Sequence, residues 1–158
     1  MSRQSAIDSA LTHFDDPAGF FEDLKARVAV KTESQNPERI PDCYEYLEKQ
    51  MKSKFEDMGY ACHIYDNPIK GCGPVLLATR HEGDGLPTIL GYGHGDTVLG
   101  MEGTWRDGLD PWVLTKDGDK VYGRGTADNK VQHSVHMAAL KAVLDERGSL
   151  GFNHKFII

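Results

Sequence analysis

The chain has 158 residues, 18 Lys and Arg against 24 Asp and Glu, and a formal net charge of −6, a balance that gives no long-range attraction to phosphate backbones or anionic lipid. With 39% hydrophobic and 27% charged residues, it can bury a core, which excludes wholesale disorder, and its size fits one domain or most of one. No apolar stretch approaches the roughly 20 residues of a membrane span, and residues 1–16 are polar where a signal peptide is apolar, so the expectations are no nucleic-acid partner, no membrane partner and a cytoplasmic location.

After this polar start, residues 17–31 carry Phe20, Phe21, Leu24, Val28 and Val30 at helical spacing. Residues 40–58 repeat the pattern with Ile40, Tyr44, Leu47, Met51 and Phe55, and Gly59 stops the second helix. Three short apolar runs follow at 60–65, 74–79 and 87–92, with turn residues between them, and read as strands. Asp117-Gly118 is a hairpin signal ahead of Val121-Tyr122. Residues 129–147 return to helical spacing through Val135, Ala138, Ala142 and Val143, and Phe156-Ile157-Ile158 opens a further strand at the last residue. Helices and strands alternate, which predicts an α/β layered architecture. The three cysteines, Cys43, Cys62 and Cys72, form no CxxC pair and read as reduced and structural.

Two segments carry residues suited to chemistry. In Gly93-His94-Gly95-Asp96, at the end of an apolar run, His94 and Asp96 lie two apart and face the same side of an extended chain. A neutral imidazole is a good metal ligand, and a carboxylate on its other nitrogen fixes its tautomer. The spacing departs from a dinucleotide fingerprint, because Asp96 stands where the third glycine belongs and no helix pattern follows. The second segment, Tyr122-Gly123-Arg124-Gly125-Thr126-Ala127-Asp128-Asn129-Lys130, passes from a strand through a glycine turn into a helix. There Asp128 can cap the helix or bridge cations, Arg124 can orient a carboxylate or form an ion pair, and Lys130 can be solvated or functional.

Taken together, His94-Gly95-Asp96, Trp105, Asp110-Pro111-Trp112, Tyr122-Gly123-Arg124-Gly125 and Asp128-Asn129-Lys130 resemble the co-catalytic zinc aminoacylase and carboxypeptidase family, with its glutamate carboxypeptidases, acetylornithine deacetylases, succinyl-diaminopimelate desuccinylases and dipeptidases. The resemblance implies a three-layer zinc-exopeptidase-like α/β domain, a mixed sheet between helices, incomplete at its C-terminus. Residues 1–158 then form the N-terminal portion of a metallohydrolase catalytic domain, without its remainder or the lid through which the family dimerises. The implied cofactor is zinc, two ions per complete site, with cobalt or manganese suited to the same donors. His94 is implied as a metal ligand, Asp128 as the metal bridge and Asp96 as the catalytic carboxylate behind His94, with Arg124 and Trp105 near the pocket.

The implied activity is hydrolysis of an amide or peptide bond in an N-acyl amino acid or small peptide, assisted by a metal pair and by a glutamate base. The family places that base just beyond the strand in which this chain ends, so the 158 residues alone are expected to be inactive. A rival reading is a non-catalytic binding module that keeps the fold and not the reaction. Two positions depart from the family pattern: Val131 replaces a common glycine, and the segment after Asp96 lacks a frequent proline. His133 and His136 share a helix face near Asp128, and their expected role is structural.

Overall fold

A computed structural model describes residues 2–158. The polar N-terminus is a helix, α1 (Arg3–Asp15), started by Ser2, whose Oγ accepts a hydrogen bond from the Ser5 amide at 3.2 Å. The sequence reading assigned no helix here. Ile7, Leu11 and Phe14 do recur at helical intervals, but each remains at least 38% exposed, so the apolar stripe is too thin to declare itself. Helix α1 packs on the long C-terminal helix, α5 (Val131–Arg147).

Helix α2 (Phe20–Ala29) buries Phe20, Leu24 and Val28, the residues whose spacing predicts it. The next predicted helix is continuous but irregular, because α3 (Ile40–Glu45) runs through a widened turn (Tyr46–Lys52) into α4 (Ser53–Asp57). It ends at Gly59, whose amide donates to the Glu56 carbonyl.

Strands β1 (Ala61–Tyr65), β2 (Val75–Arg80), β3 (Thr88–Tyr92) and β6 (Asn153–Ile157) form one sheet in the order β1-β2-β6-β3. The first two pairings are antiparallel, and β3 lies parallel to β6. The predicted hairpin forms a separate two-stranded sheet from β4 (Thr115–Asp117) and β5 (Lys120–Tyr122).

Register decides which face is covered. Leu76, Ala78 and Phe156 stand on one face with Cys62 and Ile64 beside them, and they pack against Leu47, Met51 and Phe55 from the α3–α4 helix and Met137 and Leu140 from α5. On the other face, Leu90 is 67% exposed and Tyr92 70%, with Tyr65 and Ile157 also open. The mixed sheet and its helices match the expected α/β class. Among the described residues, helices cover one side of that sheet, and the expected second layer of helices on its far side is not seen.

Burial lowers the pKa of three histidines, His133 and His154 fully buried and His136 half-buried. His154 is 1% exposed beside Tyr60 and His136, and burial pushes it down to about 4. Burial, joined by the charges of Arg27 and Lys130, pushes His133 down to about 3, and burial also lowers His136. In the unfolded chain each titrates near 6.5, so below that pH the unfolded state binds more protons and gains on the native state. Stability is therefore present in full above about pH 6.5 and is lost as pH falls towards 4. His94, held above its ordinary value, works the other way and offsets only part of this. Urea denaturation at pH 7 and pH 5 is expected to show a lower midpoint at pH 5. Equal midpoints would contradict the neutral burial of these rings.

Candidate active site

The site begins where β3 ends. Its last hydrogen bond to the sheet runs from the Gly93 amide to the Ile157 carbonyl at 3.0 Å, after which the chain continues extended through His94, Gly95 and Asp96. A second segment clamps it from the other side: Thr32 Oγ1 donates to the Gly95 carbonyl at 2.6 Å, and the Thr97 amide donates to the Thr32 carbonyl at 2.8 Å. Gly95 is required by contact, because a Cβ there would overlap the Tyr46 ring, which is itself 1% exposed. Gly95→Ala is expected to cost about 1–3 kcal/mol through overpacking, read as a fall in the urea midpoint. An unchanged midpoint would mean that Tyr46 is free to move.

The second half of the site follows the β4–β5 hairpin. Gly125 adopts φ +79°, which suits glycine, and turns the chain into a short helical stretch (Thr126–Lys130) that leads into α5. No side chain caps this start. The Asp128 carboxylate is not a helix cap: it faces the cleft, 83% exposed, with Oδ1 2.9 Å from His94 Nε2.

On its other side, His94 Nδ1 lies 3.0 Å from the Asp96 carbonyl and 3.2 Å from its carboxylate. Asp96 is in turn held by Ser34, whose Oγ donates to Oδ2 at 2.6 Å. Partial burial opposes charge on His94, but the hydrogen bonds to Asp128 and Asp96 outweigh it and hold the imidazole above its ordinary value. Three of the residues singled out from sequence, His94, Asp96 and Asp128, thus meet in one cleft of about 340 Å³ that also includes Ser34, Thr97 and Arg124.

The other candidates are placed around it. Trp105 donates from Nε1 to the Gly100 carbonyl at 2.8 Å, and the Arg124 guanidinium lies 5.5 Å from its ring centroid, so both pin the loop that borders the cleft. Glu102 is occupied by Trp112 Nε1 at 2.6 Å and by Lys31 at 3.4 Å. Lys130 is neither solvated nor in the cleft: it is fully buried, donates to the Arg27 and Val30 carbonyls at 2.9 Å each and sits over the Tyr46 ring. Burial pulls its ammonium down to about 7 against the opposing pull of Cys43 and Asp96. Val131, the departure from the family glycine, packs against the Phe20–Leu24–Val28 cluster. Burial pushes the Cys43 and Cys62 thiols up to about 11, which leaves neither suited to act as a nucleophile.

Sequence reasoning did not find Ser34 or Tyr46, which carry no motif and reach the site from distant segments. The donor set suits a divalent cation. With Nδ1–H committed to Asp96, the nitrogen facing Asp128 is Nε2, which hydrogen-bonds the carboxylate and is the atom a cation would take in exchange for its proton. Among the described residues, no cluster of three or more His, Cys, Asp or Glu side chains is arranged to hold an ion, so this chain supplies two facing donors.

Residues 90–158 match the model of the peptidase family M20/M25/M40. The chain is 32% identical over 124 residues to an acetylornithine deacetylase of Klebsiella pneumoniae, covering 78% of this chain and 31% of that protein, and 30% identical to the deacetylase of Salmonella arizonae over the same shares. Its fold superposes on human carnosine dipeptidase 1 with a TM-score of 0.82 and 28% identity, covering 98% of this chain and 34% of that one. It also matches the M20 metallo-carboxypeptidase Sso-CP2 of Sulfolobus solfataricus, at a TM-score of 0.72 and 24% identity over 87% of this chain and 30% of that one. The chain spans about a third of the length of these relatives.

Proposed function

We propose, on the match of residues 90–158 to the model of the M20/M25/M40 peptidase family, that the protein is a dinuclear, zinc-dependent hydrolase of amide or peptide bonds. Its substrates are N-acyl amino acids or small peptides, the classes named by its acetylornithine deacetylase and carnosine dipeptidase relatives. The observation that carries this reading is the 2.9 Å approach of His94 Nε2 to Asp128 Oδ1 in an open cleft, with Asp96 behind the imidazole. His94 and Asp128 are the residues that would hold metal in this reading, and cobalt or manganese would suit the same donors.

Bound ions supply Lewis-acid polarisation of the scissile carbonyl and a lower pKa for the attacking water. The chain's own residues do the rest of the positioning. Asp96 accepts the Nδ1–H proton and fixes the ring so that Nε2 faces Asp128, the nitrogen that would take a metal ion once its own proton, shared with Asp128, is displaced, while Ser34 holds Asp96 in place. Trp105 and Arg124 pin the neighbouring loop at the border of the cleft. Glu102 is not a stand-in base, because its carboxylate is committed to Trp112 and Lys31.

The test is an assay of the full gene product over a panel of N-acyl amino acids and dipeptides, with and without a chelator and with zinc, cobalt or manganese restored. Metal-dependent release of the free amino acid is the expected result. No hydrolysis with any metal, together with no bound metal by atomic spectroscopy, would reject this reading in favour of a binding module that keeps only the fold.

A further inference from the structure

A chain of hydrogen bonds, buried at its Tyr46–His133 end and opening towards solvent at Gln132, joins Tyr46 to both halves of the cleft. Tyr46 Oη is 2.5 Å from His133 Nε2, His133 Nδ1 is 3.2 Å from Asn129 Oδ1, and the same oxygen receives the His94 amide at 3.2 Å. Asn129 Nδ2 donates to Gln132 Oε1 at 2.6 Å, and Gln132 Nε2 donates to the Ala127 carbonyl at 3.1 Å. Every direction along this path is determined. The Asn129 amide nitrogen is spent on Gln132, so its oxygen faces His94 and His133. An amide oxygen only accepts, so His133 carries its proton on Nδ1, and its Nε2 lone pair accepts the Tyr46 hydroxyl. Tyr46 and His133 are each 1% exposed, and Lys130 stacks over the Tyr46 ring from the other side.

We infer that Tyr46 and His133 are positioning residues that set the gap between His94 and Asp128 by bracing, through Asn129, the His94 backbone and the turn that bears Asp128. The inference rests on the proposed function only in taking His94 and Asp128 as metal ligands. The brace has a mechanical reason. His94 lies between two glycines, Gly93 and Gly95, and so on backbone with little stiffness of its own. Asp128 precedes the first residue of regular helix by three positions and has extended angles, φ −136° and ψ 95°. Neither ligand segment is held by regular secondary structure, and besides the side-chain contact of His94 with Asp128 itself, Asn129 Oδ1 ties the His94 backbone to the turn that bears Asp128. A neutral, fully directed path serves this purpose without adding charge beside a cation site.

The test uses the 158-residue chain labelled with 15N at histidine. In the metal-free protein, His133 is expected as the Nδ1–H tautomer. Tyr46→Phe keeps the ring and removes only the hydroxyl; it is expected to shift the His133 Nε2 resonance and raise the exchange rate of the His94 amide about tenfold. Titration with cobalt(II), followed at the His94 resonance, is expected to move its midpoint upward about 10- to 100-fold in Tyr46→Phe and His133→Leu, the usual range for loss of a partner behind a ligand. His133→Gln, which keeps a donor and an acceptor, is expected to recover most of that loss.

An Nε2–H tautomer would overturn the inference. So would variants that lower the unfolding midpoint while leaving the His94 amide and the cobalt midpoint unchanged, since that is the pattern of a merely structural core pair. If the wild-type chain binds no cobalt, the metal reading of the cleft fails separately, and the tautomer and the His94 exchange rate still decide the brace.

Discussion

Asp128→Ala or His94→Ala is expected to lower metal-dependent hydrolysis by the full gene product more than about 100-fold, beyond the upper end of what loss of a partner behind a ligand costs. The two residues stand 2.9 Å apart and neither has a neighbour placed to substitute for it. Asp96→Asn is expected to cost less, about 10- to 100-fold, because the asparagine oxygen still accepts from His94 Nδ1 while the negative charge that favours this tautomer is gone. Ser34→Ala, which frees one Asp96 oxygen, is expected to have the smallest effect of the series. The checks are kcat/KM with cobalt or zinc supplied and metal content by atomic spectroscopy. Activity within a few-fold of wild type in Asp128→Ala would remove that residue from the ligand set, and an Asp96→Asn defect as large as His94→Ala would place Asp96 among the ligands instead of behind one.

Phe156→Ala is expected to be the most destabilising single truncation in the chain, at about 3–5 kcal/mol. The ring is fully buried, lies 5.2 Å from the Phe55 ring and 5.0 Å from that of His136, and comes so close to the Gly91 backbone that a Cβ there would lie 2.5 Å from it. It joins β6 to both helices on the covered face, so its loss leaves a cavity shared by three elements. Against a typical total of 5–15 kcal/mol, such a loss removes much of the margin. Ile157→Ala one residue later points to the uncovered face, where Ile157 is 36% exposed, and is expected to change stability by roughly 0.5 kcal/mol or less. Urea denaturation of both variants measures the contrast as a shift in midpoint at constant slope. Similar losses in the two would mean that the other sheet face is covered in solution.

The same alternation explains what the sequence disclosed and what it did not. The helices at 20–29 and 131–147 were readable because their apolar residues recur at the helical period and turn towards one core. The β4–β5 hairpin was readable because Asp117-Gly118 suits a backbone turn that few other pairs allow. Helix α1 was not, since its apolar stripe is half in water. His94 and Asp96 were paired correctly because residues two apart in extended chain share a side, a relation that is local. Lys130 was not placed, because its partners are the carbonyls of Arg27 and Val30, about a hundred positions away.

The sequence by itself determined the glycine-framed motifs, the order of helices and strands after α1 and the pairing of His94 with Asp96, all of which follow from short-range periodicity, turn chemistry and side-chain type. Only the tertiary structure decided that Asp128 faces His94 instead of capping its helix, that Glu102 is committed to Trp112, that one sheet face is covered and the other open, and that Tyr46 reaches His133 across 87 positions. The physical reason is that a side chain's hydrogen-bond partner is chosen by which segments the core brings within about 3 Å of each other, and that proximity is a property of the packed chain, not of any stretch of it.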